Sequence, residues 1–409
     1  MQDNVGKEWR RGWHLVTLTA LGLVCAPTTV APYSIGLFVV PLQESFGWSR
    51  SAIQGAILFS TGLGLAGGPL AGWLVHRFGL RPAILSGVVG IALAIGFAAT
   101  ISGELWQFYL AYALIALLGA GASAVTWSCL IAERFRQSRG LALGIALSGT
   151  GLSAMLTPRL AELGMDLGGW RVAYLSLAAY PLLILLPACL LLLPRFRPPE
   201  EASDVERAQD QTGIALCEVL KGRHFWLMGF STAAIYLAVG GLIANLVPAL
   251  VDKGIAQGDA VSLMGILGAA IIAGRIVVGA LVDRIWAPLV AACVLVPAAL
   301  GCLMLTADLR FYGYAAPVAL LGLATGMEFD MLAFLVARYF GLSDYPRIYG
   351  RLHMFVAAAA GGGPAGIGAL YDHVKSYDPA FILSALLLAG GSAGLLLLGR
   401  YPVIPRAAG

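Results

Sequence analysis

The chain has 409 residues, 59% hydrophobic and only 12% charged, with a mean hydropathy of +0.83. Soluble globular chains carry about 25% charged residues, so this composition excludes a water-soluble enzyme or binding domain and defines an integral membrane protein. The net charge of +4 is accounted for by topology and gives no reason to expect a nucleic-acid partner.

The N-terminal residues Met1 to Arg11 lead into a long apolar segment without a small-residue cleavage pattern, which predicts a retained first helix. Apolar runs broken by short charged turns then predict twelve transmembrane helices, near 13–40, 52–75, 82–102, 105–132, 138–162, 170–193, 223–251, 258–283, 287–306, 309–337, 347–370 and 378–400. Span one contains Pro27 and Pro32, and two prolines in one span predict a kinked helix. The 52 glycines suit close helix packing. Six cysteines show neither metal spacing nor a disulfide framework, and no cofactor or metal site is expected.

The sizeable polar stretch, Pro194 to Gly222, divides the chain into a six-helix bundle at 1–193, a linker at 194–222 and a second bundle at 223–409. With the N-terminus inside, 19 Lys and Arg residues fall on the cytoplasmic side against 5 outside. This asymmetry predicts cytoplasmic termini and a cytoplasmic linker, in a multi-pass protein of the cell inner membrane.

Arg275 stands in the middle of an otherwise uncharged stretch from Val261 to Val282. It lies on the order of 12 Å from the polar end of its span. A charge at that depth costs ~2.5 kcal/mol or more unless it meets a partner or a water-filled cavity. It is therefore an anchor for an anion or half of an internal salt bridge. Span ten carries Glu328 and Asp330 at comparable depth. A buried carboxyl near an arginine holds its proton when a substrate anion competes for the cation and releases it when the site empties. Residues two apart differ by about 200° around a helix, so the two acids face different ways. Glu328 is the favoured proton carrier; the alternative is that both acids are structural partners of basic groups.

The two halves repeat. Gly72-Trp-Leu-Val-His76-Arg77 follows span two and Gly279-Ala-Leu-Val-Asp283-Arg284 follows span eight, while Ala132-Glu-Arg-Phe135 and Ala337-Arg-Tyr-Phe340 end spans four and ten. Parallel repeats across a long connector predict a transporter whose binding site lies between the halves near the bilayer midplane. The Gly-x-Leu-x-Asp-Arg turn resembles the signature of the major facilitator superfamily, with His76 replacing the acid in the first copy. Gly47-Trp-Ser-Arg-Ser-Ala-Ile53, Phe135-Arg-Gln-Ser-Arg-Gly-Leu-Ala-Leu-Gly144 and Arg338-Tyr-Phe-Gly341 resemble the monocarboxylate transporter and oxalate/formate antiporter branch.

In that branch an arginine of span eight binds the substrate carboxylate, and Arg275 stands at the matching place. The chain departs from the animal carriers in having Ile271 where they have an aspartate, and no Lys or Arg between His14 and Ser49. The second cation of the oxalate exchanger has no counterpart in Met354 to Leu370. One central cation fits a monoanion better than a dicarboxylate. Spans one, four, seven and ten line the cavity in this superfamily, which makes Tyr33, Trp127, Tyr236 and Asn245 substrate-contact candidates or packing residues. Arg77, Arg81, Asp283 and Arg284 are expected to form a latch at the inner face.

These readings converge on an all-α membrane protein of two six-helix bundles, a carrier of a small organic monoanion such as lactate or pyruvate. Proton symport by alternating access, working as a monomer, is the leading mechanism. The alternatives are an anion exchanger without proton coupling and an exporter of drugs or metabolites. No His-Glu-x-x-His, Gly-x-Ser-x-Gly or phosphate-loop pattern supports an intramembrane enzyme. The connector is too short and polar to be the output domain of a sensor.

Overall fold

The computed structural model describes residues 2–66, 68–135, 138–194, 216–282, 284–341 and 344–402. Among these residues the chain is helical almost throughout. Eight helices are long and apolar enough to cross a membrane, and ten if each of two bent pairs is one span. One candidate, Gly140–Leu192, is 53 residues long and is two crossings in one. It breaks at Gly168 and Gly169, where Gly169 takes φ +77°. That left-handed conformation is open to glycine and strained for other residues. The twelfth crossing is span two, built in pieces from Arg50–Gln54, a π-helical stretch Leu58–Gly62, Leu63–Ala66 and Gly68–Phe78.

Span one bends as its prolines predict. The segments Gly12–Val24 and Pro27–Phe46 meet at 44°. Proline lacks the N–H that would continue the ladder, and the carbonyl this frees at Leu23 accepts a 2.7 Å hydrogen bond from Thr29 Oγ1. Span ten is the second bent pair, Phe311–Met327 and Met331–Phe340, at 42°.

The outer surface is what a lipid-facing protein requires. Leu167, Leu183 and Leu191 are 81%, 75% and 84% exposed, and Phe230, Leu386 and Leu397 are exposed as well. A soluble monomer does not leave so many large apolar side chains in water.

Small residues set how closely the spans approach. A methyl group at Gly326 in span ten would sit 2.3 Å from the Ile271 carbonyl oxygen of span eight, and one at Gly274 would sit 2.6 Å from the Leu323 oxygen. Spans eight and ten therefore touch backbone to backbone beside Arg275. Between the halves the same device recurs. Gly151 of span five meets Gly268 of span eight, Gly36 of span one meets Ala244 of span seven, and Gly361 and Gly368 of span eleven meet Leu58 and Ser51 of span two. These meeting points lie in the halves of the spans away from the chain termini, called here the distal side.

Candidate functional site

Arg275 lies within the 26-residue helix Gln257–Val282 and is only 5% exposed. Its Nη1 donates a 2.9 Å hydrogen bond to the carbonyl oxygen of Leu147, a residue of the first half. That carbonyl is available because helix Arg139–Leu147 ends there, and Ser148 turns the chain into the next helix. Helix ends leave carbonyls without an intrahelical partner, and the Thr150 hydroxyl also donates to this one at 3.0 Å. Thus the central cation bridges the two bundles through a neutral backbone oxygen.

Span ten runs directly alongside. The approach of Gly326 to Ile271 and to the Arg275 nitrogen places the turn that carries Glu328 and Asp330 next to the arginine's helix. The side chains of Glu328 and Asp330 lie outside the described residues.

The remaining candidates separate into groups. Tyr33 and Tyr236 are buried at 7% and 4% exposure. Asn245 is 1% exposed and joins spans seven and eleven, with Nδ2 donating to the Gly241 and Pro364 carbonyls and Oδ1 accepting from the Tyr377 hydroxyl. Trp127 is fully buried inside the first bundle, packed against Gly22 of span one, and its indole N–H donates to Ala122 O. It fills core space between spans one and four.

The expected inner-face latch is also resolved into its parts. Arg81 donates through Nη1 and Nη2 to the Leu193 and Leu190 carbonyls, both at 3.0 Å, and so caps the end of span six within its own bundle. Arg77 and Arg284 are exposed. Asp283 lies outside the described residues.

A different latch stands on the distal side, and sequence reasoning missed it. Arg50 opens span two, is 6% exposed, and forms a two-pronged ion pair with Asp252 at the end of span seven: Nη1 to Oδ2 at 2.8 Å and Nη2 to Oδ1 at 3.0 Å. The same guanidinium donates to Gln43 and to the Tyr377 hydroxyl, and lies 3.8 Å from the ring centre of Tyr371. Asp372 accepts from the backbone N–H groups of Arg50 and Ser51, capping the short helix of the first half from the second. Gln54 adds a 2.9 Å hydrogen bond to Ala244 O. Burial pushes the Tyr377 phenol well above its ordinary pKa, with Arg50 pulling the other way, so the hydroxyl keeps its proton and remains a donor to Asn245. Every one of these contacts joins residues from opposite halves or supports one that does.

A cavity of about 470 Å³ also opens on the distal side, lined by Glu44, Glu162, Asp166 and Trp170 among others. Arg159 is exposed and pairs with Glu162 at 2.6 Å.

Twelve crossings in two bundles, joined across a central arginine, define a membrane carrier. Residues 19–338 match the family model of the Major Facilitator Superfamily, and the chain belongs to that family. It is similar to human monocarboxylate transporter 11, at 27% identity over 93% of this chain and 82% of that one. It is also similar to rat monocarboxylate transporter 3, at 28% identity over 93% of this chain and 79% of that one. Among solved structures, a bacterial homolog of the human lysosomal transporter Spinster, in an inward-facing, unoccupied conformation, superposes with a TM-score of 0.69. That match covers 95% of this chain and 96% of the other at 16% identity, and it speaks for the fold alone.

Proposed function

We propose that this transporter carries a small organic monoanion across the cell membrane by alternating access, with its carboxylate held by Arg275 and a proton moving with it. The observation that carries the reading is the buried bridge from Arg275 to Leu147 O. That bond ties the arginine of one half to the backbone of the other. A carboxylate is a stronger, charge-assisted and two-pronged acceptor, so an arriving anion displaces Leu147 O and changes what joins the halves. Binding and bundle movement are thereby coupled through one side chain.

In this reading residues 1–193 and 223–409 are the moving bodies, with both termini and the linker cytoplasmic and the unit acting as a monomer. The Arg50 cluster closes the outer face while substrate exchanges with the cytoplasm. Arg77, Asp283 and Arg284 close the inner face in the opposite state. Tyr33 and Tyr236 contact substrate, and Glu328 or Asp330 holds the proton. The similarity to proteins named as monocarboxylate transporters supports the choice of anion.

The test is a thermal-shift screen of the purified protein with small carboxylates at pH ~5.5 and ~7.5. A ligand at ~100 times its Kd stabilises by roughly 2.7 kcal/mol. A monocarboxylate is expected to shift the wild type and not Arg275→Ala. Equal shifts of both proteins by neutral or cationic compounds would move the exporter reading to the front. In proteoliposomes, Glu328→Gln or Asp330→Asn is expected to abolish pH-driven accumulation while sparing exchange. Full accumulation in both variants would remove the coupling role and leave an exchanger.

A further inference from the structure

Span eleven, the helix Tyr345–Val374, has four distinguishable sides. Arg347, Arg351, Met354 and Ala358 form an exposed stripe. Ala357, Gly361 and Gly368 meet span two of the other half. Leu352, Phe355 and Gly363 pack on span seven. At about 100° per residue, the side left over lies opposite the exposed stripe, between the contacts to span seven and span two. In the half of the helix nearest the termini that side carries Tyr345, Tyr349 and His353.

The three rings form a ladder at four-residue spacing. Tyr345 and Tyr349 are 5.6 Å apart between ring centres at 12°, and Tyr349 and His353 are 5.3 Å apart at 24°. Near-parallel planes at such separations are offset, so each ring leaves part of its face to the space beside it. All three are half-buried. His353 Nδ1 is buried with no hydrogen-bond partner among the described residues. In span two of the other half, Thr61 stands next to Gly62, which faces Ala357, one turn above His353. Thr61 is 6% exposed, its hydroxyl has no partner among the described residues, and it belongs to the π-helical stretch. Such local widening of a helix is frequent at functional sites. His353 lies ~12 Å inside the start of its helix, and Arg275 ~10 Å inside the end of its own, so both stand at a similar depth.

We propose that this ladder is the ring-binding wall of the substrate path, and that the carried monoanion is a planar aromatic carboxylate. This rests on the monoanion reading and narrows its substrate class. The carboxylate engages Arg275, the ring lies against Tyr349 and His353, and the hydrogen-bonding groups of His353 and Thr61 are left for polar substituents on it. A two- or three-carbon acid is too small to cover such a wall.

Benzoate and cyclohexanecarboxylate isolate the point, since they share size and charge and differ in planarity. Binding to detergent-purified full chain is measured for wild type, Tyr349→Leu, Tyr349→Phe and Arg275→Ala. Wild type is expected to favour benzoate by roughly fivefold, within the range of ring–ring contacts. Tyr349→Leu is expected to erase that preference while holding cyclohexanecarboxylate within about twofold, and Tyr349→Phe to keep it. Should Tyr349→Leu fail to fold, His353→Leu serves as the second probe of the wall. Equal binding of the two acids by wild type, or a parallel loss of both in Tyr349→Leu, overturns the ring wall and leaves the Arg275 anion site standing. Failure of every carboxylate to bind overturns the parent reading and this one with it.

Discussion

Arg50 and Asp252 stand 202 residues apart in the chain and meet in a two-pronged ion pair that joins the first half to the second. The arginine side chain is 7% exposed and the aspartate 28%, so the pair is largely withdrawn from water. Pairs of this kind matter most when one member is removed, because the other is left with a buried, uncompensated charge.

Arg50→Ala is therefore expected to disfavour the distally closed state by about 3 kcal/mol. Spin labels on the distal ends of spans one and seven, read by double electron–electron resonance, should report a shift toward longer distances. The charge swap combining Arg50→Asp with Asp252→Arg should recover part of the closed population. Unchanged distances in Arg50→Ala would mean that the small-residue contacts hold the face shut alone.

Arg275→Lys keeps the charge and loses the fork. Lysine offers a compact point charge where a guanidinium grips both carboxylate oxygens. Carboxylate affinity is expected to fall at least tenfold, by roughly 1.4 kcal/mol, with the melting temperature of the ligand-free protein little changed. Titration calorimetry distinguishes this from a structural role, in which the unliganded protein itself would melt earlier.

Gly326→Ala forces a methyl group to within 2.3 Å of the Ile271 oxygen. Overpacking of this kind costs about 1–3 kcal/mol, and here it pushes span ten away from the helix of Arg275. Gly279→Ala, three residues before Val282 and with open space around its added methyl, is the matched control. The expected outcome is a clear fall in melting temperature for Gly326→Ala alone.

Arg81→Ala tests cap against gate. Two hydrogen bonds from a charged donor to the end of span six are lost, at about 1.5–3 kcal/mol each as an upper range. If Arg81 is a cap, stability falls while the distribution between inward and outward states stays fixed. A change in that distribution at constant stability would return it to the latch.

The fold was legible because the bilayer imposes a simple code. Apolar length marks a crossing, and a long polar stretch marks the break between the halves. Arg275 was legible for the same reason, since a charge inside an apolar span calls for a partner. The bond to Leu147 O was not legible, because that oxygen is a backbone atom released by a helix end and no side chain advertises it. Arg50 was hidden differently. It reads as an ordinary loop cation until tertiary structure brings Asp252 and Tyr377 around it. For Trp127 the sequence left contact and packing open, since the glycine beside its ring lies in another span and only tertiary structure brings the two together. The tyrosines and histidine of span eleven sat at a plain four-residue spacing, yet which side of the helix they occupy depends on where spans two and seven make contact.

The distal contacts have one more consequence, for the chain as a covalent object. Arg50, Gln54, Gly36 and Gly151 meet their counterparts across the molecule through the helical spans themselves. Two separately translated polypeptides, cut between Pro194 and Leu216, carry matching surfaces by which to find each other in the bilayer.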